Sequence, residues 1–129
     1  MSKAVPVGNL ANLFAALADP TRLRLLNLMA GREVCVCYFV DILRQSQPKI
    51  SRHLAYLRRA GLVQARREGK WMHYRLAAPA DDAAAAILAA TLRELQENRQ
   101  MQVERARLES ARNALVGIAP APVVVAVVE

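Results

Sequence analysis

The chain has 129 residues, enough for one domain with a real core and too few for two independent ones. Eighteen Lys and Arg against 11 Asp and Glu leave a formal charge of +7, which points to an anionic partner, nucleic acid or a membrane surface. Nine bases and one acid, Glu68, lie between Arg44 and Arg75, a local +8; the N-terminus lacks the pattern of a leader, and VGIAPAPVVVAVV is too short and proline-broken to span a bilayer. A cytoplasmic protein with no membrane partner is the expectation.

GNLANLFAALA places Leu10, Leu13, Phe14 and Leu17 at helical spacing, with Asn9 as a candidate cap, and predicts a first amphipathic helix. DPTRLRLLNLMAG predicts a second: Asp19 caps it, Pro20 suits its first turn, Leu23, Leu26 and Met29 recur at three-residue intervals, and Gly31 stops it. In EVCVCYFVDIL, Val36, Phe39, Val40 and Leu43 fall at i, i+3, i+4 and i+7, so a short third helix starts at or just after Cys35 and Cys37. These are the only cysteines, and in a reducing compartment they read as a metal or redox site rather than a staple.

SQPKISRHLAYLRRAGLV predicts a fourth helix, capped by Ser46, with Pro48 in its first turn and Gly61 at its end. Ile50, Leu54 and Leu57 make its buried stripe, which leaves Gln47, Lys49, Ser51, Arg52, His53 and Tyr56 on the outer faces beside Ser46, in reach of phosphates and base edges. A short helix, the tight turn RQSQ and this basic helix form a helix-turn-helix pattern whose second helix lies in a major groove; a merely solvated helix is the alternative. LVQARREGKWMHYRL then reads as two strands joined at Gly69, a basic hairpin that completes a winged helix-turn-helix and offers Arg66, Arg67 and Lys70 to backbone phosphates.

Beyond Pro79 the sequence has no breaker until Gly117, which predicts one long helix with Asp81 and Asp82 at its start. Leu88, Leu92, Leu95, Met101, Leu108 and Leu115 give it an apolar edge too long for so small a domain, so a homodimer is expected, against a helix folded back on its own core. The fold class is therefore mainly α with a small β-hairpin wing, dimeric through terminal helices, with one domain over 1–116 and an apolar tail over 117–129.

From about Leu10 to Arg99 the chain resembles the ArsR/SmtB family of metal- and metalloid-sensing repressors, and specifically its arsenic-resistance branch. LADPTRLRLL (17–26), EVCVC (33–37), SQPKISRHLAYLRRAGLV (46–63) and GKWMHYRL (69–76) carry the resemblance. It implies a dimeric winged-helix repressor that leaves double-stranded operator DNA when an inducer binds, with Cys35 and Cys37 as inducer ligands and no obligatory cofactor. Arsenite or antimonite is the implied inducer, because soft thiolates favour such acceptors. A helix N-terminus would favour Cys37 as thiolate, and chelation by residues at i and i+2 needs non-helical backbone at one of them. The branch commonly has a third cysteine where Val40 stands and an aspartate where Tyr38 stands. The third ligand is then a small thiol, water or a cysteine elsewhere in the dimer, or the inducer is an organic trivalent arsenical that needs two sulfurs.

Other readings stay open. The pair could be the switch of a thiol-redox-responsive repressor of the same fold through a strained Cys-x-Cys disulfide, or inert core thiols, or the chain could be a non-regulatory DNA-binding protein. Zinc sensing is disfavoured, since the two histidines, His53 and His73, both fall on the DNA-facing elements. No glycine-rich phosphate loop or nucleophile and base pair predicts an enzyme.

Overall fold

Capping residues set most of the helix starts. In the computed structural model, which describes residues 6–118 and their side chains through residue 114, the elements are α1 (Val7–Leu17), α2 (Pro20–Met29), β1 (Val34–Cys35), α3 (Val36–Leu43), α4 (Gln47–Arg59), β2 (Val63–Glu68), β3 (Trp71–Leu76), α5 (Asp82–Glu97) and α6 (Arg99–Ile118). Asp19 Oδ2 accepts from the Arg22 amide at 2.9 Å with Pro20 at the first helical position, and Ser46 Oγ and Asp81 Oδ1 cap α4 and α5 in the same way. At α1 the cap is Pro6, not Asn9: the proline ring fixes φ at −57°, and the Pro6 carbonyl accepts from Leu10 at 3.1 Å, so Asn9 lies inside the helix. After α4, Gly61 (φ +80°) donates to the Arg58 carbonyl while Leu62 donates to that of Leu57, a glycine C-cap that turns the chain into the wing.

The three strands form one antiparallel sheet in the order β1-β3-β2. Residues Val63 to Glu68 pair with Leu76 to Trp71 around Gly69, and β1 joins the other edge of β3 through Val34↔Tyr74 and Cys35↔His73. This short first strand was not expected, since two residues carry no periodicity. Against the sheet and between the helices lies one core, in which Ile50, Leu54 and Leu57 of α4 and Phe39 of α3 have no exposure. Complete burial of such side chains contributes roughly 1.5–3 kcal/mol each. Helix α2 is central: Leu25, Leu26, Asn27, Leu28 and Met29 are all buried, because α4, α5, α6 and β3 surround it, so the single face expected from Leu23, Leu26 and Met29 widens to the whole last turn.

The C-terminal region is two helices rather than one. Asn98 leaves the helical region (φ −79°, ψ 130°), and its Oδ1 accepts from the Met101 amide at 3.1 Å, so it ends α5 and caps α6. Helix α6 turns back to pack on α2, α3 and α5, burying Met101 and Leu108 in its own chain. Polar clamps hold it there. Arg24 forks on Glu104 at 2.7–3.1 Å, Asn27 donates to the Met101 carbonyl at 3.1 Å, and Arg105 donates to Asn27 Oδ1. Part of the predicted dimer edge is thus spent inside the chain, whereas α5 keeps an open side, with Leu88 its one buried residue. The backbone of α6 passes Gly117 to Ile118; the side chain of Leu115 and the rest of the apolar tail lie outside the described residues.

Candidate nucleic-acid interface and dithiol site

The buried stripe of α4 fixes which of its side chains face outward. Gln47, Lys49 and Arg52 are exposed, Ser51 is half-buried, and Ser46 is engaged as the cap. Arg59 is exposed as well; it lies seven residues after Arg52, two helical turns along the same face, a spacing from which the sequence could have added it. His53 and Tyr56 have a different setting. Both are half-buried and turned toward Arg22 of α2, whose Nη1 lies 3.3 Å from His53 Nδ1 and whose guanidinium stacks 4.1 Å above the Tyr56 ring. Arg22 is itself anchored by bonds of 2.9 and 2.8 Å to the carbonyls of Ala15 and Ala16. Burial holds His53 below its ordinary value, reinforced by Arg22, Arg52 and Lys49 and opposed by Asp19. Arg22, Arg52, His53, Ala55, Tyr56 and Arg59 together line a shallow basic groove, and Asp19 Oδ2 lies 3.7 Å from His53 Nδ1.

On the wing, Arg67 and Lys70 are exposed and make no ion pair among the described residues. Lys70 Nζ lies 5.9 Å over the ring of Trp71. Arg66 is engaged instead: it forks on Glu33 at 2.7 and 3.2 Å and reaches Glu68 at 3.5 Å, and it holds the Glu33 carboxyl below the usual carboxylate value.

Glu33 leads directly into the cysteines. Cys35 is fully buried, ends β1 and caps α3 with extended backbone (φ −72°, ψ 143°), while Cys37 is exposed in the first turn of α3. Cys37 Sγ donates to Cys35 Sγ at 3.3 Å, so the two sulfurs face each other. Extended backbone at Cys35 supplies the non-helical residue that chelation by this spacing requires, without any unwinding of α3. The shared proton decides the charge: that hydrogen bond lowers the Cys35 thiol to about 6, against the opposing effect of burial and with help from the Cys37 and Val36 amides, and it pushes Cys37 upward. The lowered thiol is that of Cys35, at the capping position where the free amides of the helix converge, whereas the expectation from the helix N-terminus is Cys37.

Two buried polar groups beside the pair have no hydrogen-bond partner, the Tyr38 hydroxyl and the His73 imidazole. The Tyr38 phenol is raised chiefly by burial and then by the nearby Cys37. His73 Nε2 lies 3.3 Å from Glu68 Oε1 but without the alignment of a hydrogen bond. Among the described residues no three His, Cys, Asp or Glu side chains converge to hold a metal ion, so the site is one of two sulfurs. No helix among them is long and apolar enough to cross a membrane.

Residues 19–65 match the family described as bacterial regulatory protein, arsR family. The chain is 52% identical to the arsenical resistance operon repressor of Escherichia coli K12 over 77 residues, which is 59% of this chain and 62% of that protein, so the matched part is less than two thirds of the relative's length. Among solved structures, the homodimeric winged helix-turn-helix domain of Mb0332 from Mycobacterium bovis, a possible ArsR-family transcriptional regulator, superposes with a TM-score of 0.58 at 31% identity, covering 70% of this chain and 82% of that one. HlyU from Vibrio cholerae gives a TM-score of 0.59 at 31% identity over 67% of this chain and 91% of its own. With the helix-turn-helix matched in sequence and the whole winged fold matched in space, the chain belongs to the ArsR family of bacterial regulatory proteins.

Proposed function

We propose that the protein is a metalloid-responsive transcriptional repressor that binds operator DNA as a homodimer through α4 and the wing and releases it when trivalent arsenic or antimony binds Cys35 and Cys37. The observation that carries this reading is the 3.3 Å separation of the two sulfurs at the junction of β1 and α3. With metal–thiolate bonds of about 2.3 Å, that separation subtends an angle of about 92° at a shared atom; a tetrahedral centre would set the sulfurs about 3.8 Å apart. Three-coordinate arsenic with its lone pair is pyramidal and accepts so narrow an angle, and two sulfurs with no further converging His, Cys, Asp or Glu among the described residues fall short of the four ligands zinc takes. Arsenical-resistance relatives support the same class of inducer.

Lys49, Arg52 and Arg59 on α4 and Arg67 and Lys70 on the wing are side chains free to meet DNA, and Gln47 and Ser51 add hydrogen-bonding groups. The open side of α5 and the exposed Phe14 and Val7 of α1 form the dimer surface, which sets two copies of α4 against a two-fold operator. Cys35 belongs both to the sheet that carries the wing and to the first helix of the DNA-binding pair, so a ligand there acts on both at once. A coupling of about 3 kcal/mol between the two binding events lowers operator affinity by more than a hundredfold.

The test is binding of the reduced protein to DNA from its own promoter, titrated with arsenite and antimonite beside a Cys35→Ser, Cys37→Ser double variant. Release of the wild type alone supports the reading. Retention of both under reducing conditions rejects it, and release by an oxidant in its place assigns the pair to a redox switch.

A further inference from the structure

Cys35 and Cys37 are the only cysteines of the chain, so within one protomer a trivalent metalloid gains two protein sulfurs and keeps a third position. Across the sheet from Cys35 stands an imidazole with no completed hydrogen bond: its Nε2 lies 3.3 Å from Glu68 Oε1 but out of alignment, and its Nδ1 has no partner. His73 has no exposure, and neither of its ring nitrogens has a hydrogen-bond partner, an arrangement that is costly in a protein interior and calls for one. It is also the register partner of Cys35 across β1 and β3. Directly opposed residues of an antiparallel pair lie on one face of the sheet with Cβ atoms about 4.5–5.5 Å apart. Cys35 is equally buried on that face of the sheet.

Building on the reading of the two cysteines as inducer ligands, we propose that His73 seats the oxygen that an inorganic trivalent metalloid keeps when Cys35 and Cys37 hold it. Arsenous acid reacts with the pair to form two As–S bonds; two of its hydroxyls leave as water, one with the Cys37 proton and one with a proton from solvent because Cys35 is ionised, and one hydroxyl stays on arsenic with no change of oxidation state. That hydroxyl both donates and accepts, and a neutral imidazole offers one nitrogen of each kind. No three His, Cys, Asp or Glu side chains converge as direct ligands among the described residues, so the role assigned to His73 is that of a positioning residue acting on the oxygen, not a third ligand.

An organic arsenical separates this role from a structural one. Phenylarsine oxide loses its only oxygen as water on taking two thiols, and its phenyl carbon fills the third position. Arsenite and phenylarsine oxide are titrated calorimetrically into wild type, His73→Phe and Tyr38→Phe in phosphine-reduced buffer free of small thiols. The expected result is that His73→Phe binds arsenite about tenfold more weakly, the change made by one buried hydrogen bond, and binds phenylarsine oxide as the wild type does. Equal weakening of the two ligands, or none for arsenite, overturns the proposal, and so does selective weakening in Tyr38→Phe alone. If the phenylalanine does not fit, His73→Leu gives the same readings. Wild-type protein that binds neither arsenical rejects the dithiol reading itself, whereas phenylarsine oxide binding that needs both cysteines preserves it whatever His73 does.

Discussion

Arg66 on the wing forks on Glu33, two residues ahead of the buried Cys35, with bonds of 2.7 and 3.2 Å. A cation so neutralised adds little to phosphate binding, although the sequence offers it to DNA phosphates beside Arg67. Glu33→Gln should release it: operator affinity tightens several-fold at low salt, and the slope of log affinity against log salt steepens by about one. Arg66→Ala should flatten that slope less than Arg67→Ala does. Equal effects from the two arginines would show that the Glu33 fork opens on DNA.

On α4 the outer residues divide by what holds them. Arg52 is free, so Arg52→Ala should weaken operator binding by about 1–3 kcal/mol and relax sequence preference at one base pair, measured by competition with variant sites. Tyr56 lies under Arg22, so Tyr56→Phe, which keeps the ring, should stay within a few-fold of wild type. Arg22→Ala removes the stacking and both bonds to α1, and should lower stability in urea by about 1–3 kcal/mol.

The thiol pair should titrate as a unit. Thiolate absorbance in the ultraviolet should rise by one group near pH 6 as Cys35 ionises, with the second thiol staying protonated well past the ordinary value of 9.0. Because the folded value of Cys35 lies below the unfolded one, its ionisation favours the folded chain above about pH 6, in full by pH 9, and acidification through 6 removes that contribution. Cys37→Ala takes away the donor and should move the first step upward; an unchanged step near 6 would mean that the helix amides alone hold the thiolate.

The clamp between α2 and α6 is a stability element. Asn27→Leu removes the bond to the Met101 carbonyl and leaves Arg105 only its bond to the Gln96 carbonyl, and should lower unfolding free energy by about 2–3 kcal/mol. Asn98→Ala removes the cap of α6 at a cost of about 1 kcal/mol, while Asn98→Asp should retain most of it. Urea unfolding of each variant checks the ranking.

Local chemistry was legible in the chain itself. Asp19, Ser46 and Asp81 cap because a short polar side chain ahead of a helix meets its own free amides, and Ile50, Leu54 and Leu57 face inward because helical period puts them on one side. The hairpin at Gly69 and the basic outer face of α4 follow from the same short-range rules. Tertiary contacts decided the rest. A two-residue β1 has no pattern to read and exists only because β3 pairs with it, which sets Cys35 opposite His73. Arg66 and Arg67 are indistinguishable neighbours in sequence, and the Glu33 carboxylate separates them in space. At Asn98 the capping side chain is a local signal too weak to predict a break in so helix-rich a stretch; folding back lets Met101 and Leu108 leave water against the core, and burial of apolar surface, which depends on the whole fold, outweighs the preference of the segment to run straight.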